Sequence, residues 1–107
     1  MTETPIPYEG ADRTTLGQTG QILVTLRAAE EYAAVVTGLD PDEVECARRE
    51  LTEALISARR AGSADNGAER WRARSRITGL DITARVAREG PLAVVTTVNV
   101  RSYGRKG

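Results

Sequence analysis

A chain of 107 residues with 40% apolar and 28% charged side chains has the make-up of one soluble globular domain. It has no histidine and a single cysteine, Cys46, which excludes an intramolecular disulfide, the usual zinc, haem and iron–sulfur ligand sets, and any imidazole base. The net charge of zero hides an asymmetry: residues 1–53 carry 11 acidic and 4 basic side chains (−7), and residues 54–107 carry 4 and 11 (+7).

Residues 1–20, MTETPIPYEGADRTTLGQTG, are polar and without period, and are expected to form a flexible or irregular arm before a domain spanning 21–107. The arm has no basic region followed by an apolar core, so it does not resemble a secretory leader. No apolar run approaches the roughly 20 residues that span a bilayer. A cytoplasmic protein without membrane association is expected.

QILVT (21–25) suits either a short strand or the first turn of the next helix. From Leu26 the apolar residues Leu26, Ala29, Ala33 and Val36 recur at helical spacing, and Gly38 is placed to cap the helix. A second helix opens on Asp40 as N-cap, Pro41 at the first position and Glu43 closing a capping box. Val44, Ala47, Leu51, Leu55 and Ala58 form its apolar stripe, and Gly62 is its expected stop. Cys46 lies among carboxylates that disfavour a thiolate, so no nucleophilic role is expected of it.

After the small-residue loop 62–69 the period changes to two. In RWRARSRIT (70–78), Trp71, Ala73, Ser75 and Ile77 share the expected core face, and Arg70, Arg72, Arg74 and Arg76 the other. LDITARVAR (80–88) alternates likewise, with Arg85 on the polar side. LAVVTTVNVRSY (92–103) is β-rich, with Val94, Val98 and Val100 expected on one side and Thr97, Asn99, Arg101 and Tyr103 on the other. REGPL (88–92) reads as a hairpin connection, while Thr78–Gly79 suits a tight turn or a bulge. The fold class is therefore α+β: an N-terminal helical hairpin packed on a C-terminal antiparallel sheet of three to four strands.

On such a sheet Arg72, Arg74 and Arg76 share an open face with Arg85 at a repeat of about 6.6–6.8 Å, close to the distance between successive phosphates of a nucleic-acid strand. Arginine suits that task because its planar fork grips phosphate through paired hydrogen bonds. The plain alternative is a solvated face whose arginine stems cover apolar surface, in a chain with a general preference for arginine.

The helical hairpin followed by RWRARS and GLDITARVAREGPLAVVTTVNVRSY resembles the small toxins of the RelE/ParE/BrnT type. That resemblance implies a compact α+β domain and, in many members, a metal-independent ribonuclease working through basic residues and tyrosine on the sheet. Carried over, Arg72, Arg74, Arg76 and Arg85 would contact the nucleic acid, with Arg76 also in the catalytic set. Arg101 would stabilise the transition state, and Tyr103 would stack on a base or transfer a proton. The implied partners are RNA and a cognate antitoxin. A non-enzymatic module docking on an acidic protein stands beside it, as does a homodimer pairing acidic helices with a basic sheet.

Overall fold

The computed structural model describes residues 14–101. Residues 1–13 of the expected arm lie outside the described residues, as does Tyr103. The described chain is α+β, with two main helices packed on a five-stranded mixed sheet.

In chain order the elements are α1 (Leu16–Thr19), β1 (Gln21–Val24), α2 (Leu26–Val36), α3 (Pro41–Ile56), β2 (Arg59–Ser63), β3 (Glu69–Arg74), β4 (Asp81–Glu89) and β5 (Leu92–Arg101). The strands lie in the order β1-β5-β4-β3-β2. All neighbours are antiparallel except β1, which runs parallel to β5. The expected count of three to four antiparallel strands is corrected to five in a mixed sheet. The QILVT run is the strand at one edge, and the strand at the other edge, Arg59–Ser63, falls where the apolar stripe ending at Gly62 predicts helix.

The helix boundaries follow their caps. Glu43 Oε1 accepts the Asp40 N–H at 3.4 Å, closing the capping box that starts α3. Gly38, at φ 138°, donates its N–H to the Ala33 carbonyl at 2.8 Å and stops α2. Thr25 starts α2 and ties it to the sheet: its Oγ1 accepts the Ala28 N–H at 3.2 Å and donates to the Val95 carbonyl at 2.9 Å. α3 ends at Ile56, short of the expected stop at Gly62. Arg59–Ser63 pairs instead with β3, Arg59 opposite Arg72, with a bulge between Arg60 and Gly62. Cross-strand pairing overrides the weak local preference of RRAGS.

Residues 14–20, expected to be irregular, contain α1, whose Leu16 is fully buried and donates its N–H to the Ala58 carbonyl at 3.0 Å. The core joins Ala28, Ala29, Tyr32 and Ala33 of α2, Val44, Ala47, Leu51 and Leu55 of α3, and the sheet residues Trp71, Ile82, Ala84, Val86, Val95 and Val98. Trp71 is 3% exposed, as its parity predicts.

Two parity expectations fail. Arg85 pairs with Thr97 but Val86 with Val95, so Thr96 is an extra residue in β5. This bulge puts Val94, opposite Ala87, on the face away from Val98 and Val100, which stand opposite Ala84 and Ile82. The second failure is at β3, which ends at Arg74. The buried Ser75 Oγ accepts the N–H groups of Ile77 (3.2 Å) and Thr78 (3.1 Å), and its carbonyl accepts the Gly79 N–H (2.8 Å). The hydroxyl offers these amides an alternative to the sheet ladder, and a tight turn results. Ile77, expected in the core, is 75% exposed at its tip.

Candidate functional site

The register assembles the arginines into three rows across the face of the sheet opposite the helices. Arg70 stands opposite Arg85, which stands opposite Thr97. Arg59, Arg72, Thr83 and Asn99 form the middle row, and Arg74, Asp81 and Arg101 the third. Four of the residues singled out in the sequence, Arg72, Arg74, Arg85 and Arg101, thus share one face. Arg76 does not. It follows the end of β3 and lines a groove beside Glu50, Glu53 and Ile77, because the Ser75 turn carries it off the strand.

The first row floors a trough of about 510 Å³, with Thr83, Thr97 and Asn99 beside the arginines. One wall is the single turn of 3₁₀-helix Asp65–Gly67, the other Arg27 and Glu31 of α2. Arg85 Nη2 donates to the Asp65 carbonyl at 2.9 Å, which fixes the guanidinium against the wall. At the other end of the face Arg74 Nε pairs with Asp81 Oδ1 at 3.3 Å. Arg70, Arg59, Arg27 and Glu31 were not singled out as site residues from sequence. Arg70 carries the same parity signal as Arg72, whereas the others come into place only through the β2 pairing and the docking of α2.

The face has an unusual charge arrangement. Two pairs of like charge stand directly opposite one another, Arg70 with Arg85 and Arg59 with Arg72. Such pairs destabilise a sheet unless an anion lies between them. The carboxylates of this region sit at its margins: Asp81 at the far row, and Asp65 and Glu31 on the walls. The open centre offers guanidinium forks flanked by hydroxyls and an amide, groups that bond phosphate and sugar oxygens.

The other concentration of polar contacts is structural. On the helix side, Glu69 Oε1 accepts hydrogen bonds from Trp71 Nε1 (2.9 Å) and Arg88 Nη2 (3.1 Å), and Arg88 Nη1 donates to Thr19 Oγ1 (2.8 Å). The Arg88 guanidinium lies 5.9 Å from the Trp71 ring centroid. Burial pushes the Glu69 carboxyl up, but the hydrogen bonds from Trp71 and Arg88 and the charges of Arg88 and Arg60 outweigh it and hold the group below its ordinary value. This cluster fastens α1 and the Trp71 ring to the sheet.

Among the described residues no group of three carboxylate or thiol ligands is placed to hold a metal, and no helix is long and apolar enough to cross a membrane. Comparison with protein-family models, with curated proteins and with solved structures found no match.

Proposed function

We propose that this chain binds RNA, as a protein of the RelE/ParE-like toxin kind, by laying a single strand along the open face of the sheet. The observation that carries the proposal is the two pairs of directly opposed arginines, Arg70 with Arg85 and Arg59 with Arg72, at the centre of a face where, among the described residues, no carboxylate stands between them. Same-face residues of β3 repeat every 6.6–6.8 Å or so, which lets Arg70 and Arg72 meet successive phosphates. Thr83, Thr97 and Asn99 lie on the β5 side, where ribose hydroxyls and base edges of the same strand would fall. Binding displaces counterions from the RNA and relieves the repulsion within the face.

The proposal concerns binding. Metal-independent cleavage would proceed by attack of a ribose 2′-hydroxyl on the adjacent phosphate, with arginine neutralising the developing charge. Of the residues expected to serve it, Arg101 lies on the face and Arg76 in the groove.

Fluorescence anisotropy of a labelled oligouridine with the full chain tests the proposal. Arg72→Ala and Arg85→Ala should each weaken binding several-fold. Arg60→Ala should leave it unchanged, because Arg60 stands opposite Trp71 on the other face. Equal losses for all three variants, or no binding at low salt, would refute the proposal. Cleavage in excess EDTA that Arg101→Ala abolishes would extend it to a ribonuclease.

A further inference from the structure

The turn after β3 holds a feature that RNA binding does not use. Besides the three bonds to Ser75 described above, the Ser75 N–H donates to the Leu80 carbonyl (3.0 Å) and the Leu80 N–H to Thr78 Oγ1 (3.2 Å). Gly79 takes φ 75°, open to glycine without strain. A turn braced in this way does not fold its tip down, yet the tip is Ile77, 75% exposed. Beside it α3 presents Ile56, 50% exposed, and Ala54. These three side chains line a groove of about 430 Å³ between helix and turn.

The rim of the groove carries both signs of charge: Glu50 and Glu53 from α3, Arg74 from the end of β3 and Arg76 from the turn. Among the described residues no ion pair engages Glu53 or Arg76.

We propose that this groove is the contact surface for a second copy of the chain. A twofold axis would set Ile77 of each copy against Ala54 and Ile56 of the other, and Arg76 of each beside Glu53 of the other. A twofold interface pairs one patch with itself, so the patch must contain both halves of every contact. This groove does: an apolar knob on a rigid turn, an apolar hollow next to it, and unpaired charges of both signs at the rim. An apolar centre within a charged rim is also the usual anatomy of a protein–protein contact. The pairing leaves Arg70, Arg72 and Arg85 uncovered, so each dimer offers two basic faces.

Sedimentation equilibrium of the full chain from low to high micromolar concentration is the test. The mass should rise from 11.5 kDa towards twice that value. Ile77→Asp should weaken the dimer by about a hundredfold, roughly tenfold for each of the two isoleucines returned to water. Its circular dichroism should not change, because Ile77 is already in solvent in the monomer. Arg76→Glu alone should also weaken the dimer, and adding Glu53→Arg should restore it. A constant mass of 11.5 kDa would overturn the proposal. So would a dimer that withstands Ile77→Asp, or a double variant no better than Arg76→Glu.

Discussion

Replacing Glu31 separates two interactions that the structure gives to one carboxylate. β1 covers the outer edge of β5 only as far as Val95. Beyond it the Val98 N–H points to the uncovered edge and is taken by Glu31 Oε1 at 2.8 Å, while Oε2 lies 3.5 Å from Arg27 Nε. The amide bond is part-buried and accepts into a charged group, a class whose loss costs about 1.5–3 kcal/mol. The ion pair is exposed, with the Arg27 side chain 76% accessible, and such pairs contribute less than about 1 kcal/mol. Glu31→Ala should therefore lower the unfolding free energy by about 2 kcal/mol, and Arg27→Ala by less than about 0.5 kcal/mol. Urea denaturation at neutral pH measures both, and an unchanged m-value would show that the two-state comparison is fair. Hydrogen exchange at Val98 should accelerate in the Glu31 variant alone. Equal losses for the two variants, or a Glu31→Ala loss below about 0.5 kcal/mol, would refute the assignment of the edge amide to this carboxylate.

Ser75→Ala removes the acceptor of two turn amides and should cost about 2 kcal/mol by the same denaturation assay, with no change in β3–β4 pairing by amide exchange. Because Glu69 titrates below its ordinary value when folded, the stability it contributes is complete above the unfolded pKa of about 4.3 and is lost as pH falls through the folded one. Arg88→Ala should flatten that acid limb in a pH series of thermal melts. Burial raises the pKa of Tyr32, so stability should fall above about pH 10, where the unfolded chain ionises first. Among the described residues the buried Tyr32 hydroxyl completes no hydrogen bond of good geometry, although Ser75, Glu50 and Thr78 lie close enough to act on its titration. Tyr32→Phe should accordingly abolish the alkaline limb and leave neutral-pH stability unchanged or raised by about 1 kcal/mol.

The parts of this fold legible in the sequence are those held by local chemistry. Asp40, Pro41 and Glu43 announce α3, Gly38 ends α2, and Gly90–Pro91 turns β4 into β5, all through contacts within a few residues. The alternation of β3 reads correctly as far as Arg74, where a serine hydroxyl wins two amides from the ladder. Alternation in sequence continues through Ile77, so nothing in the period marks that point. β2 was illegible for the opposite reason: RRAGS shows no alternation and extends only because β3 offers it a partner. The bulge at Thr96 is likewise a matter of register between strands, and it alone moves Val94 away from Val98.

The candidate site shows the same division. Parity places Arg72, Arg74 and Arg85 on one face from sequence. That Arg70 directly opposes Arg85, and that Arg59 opposes Arg72, depends on which residues pair, and the electrostatic strain that motivates an anionic ligand lies in those pairings. Arg76 continues the sequence pattern but belongs to the groove.

The most direct test of an RNA-binding sheet face is the salt dependence of its affinity for a short single strand, measured on the full chain and on Arg72→Ala. Three guanidinium contacts, from Arg70, Arg72 and Arg85, predict a slope of log K against log salt near −2, at about 0.7 per phosphate, and Arg72→Ala should reduce it by about 0.7. A slope near zero, or one that Arg72→Ala leaves unchanged, would contradict the account.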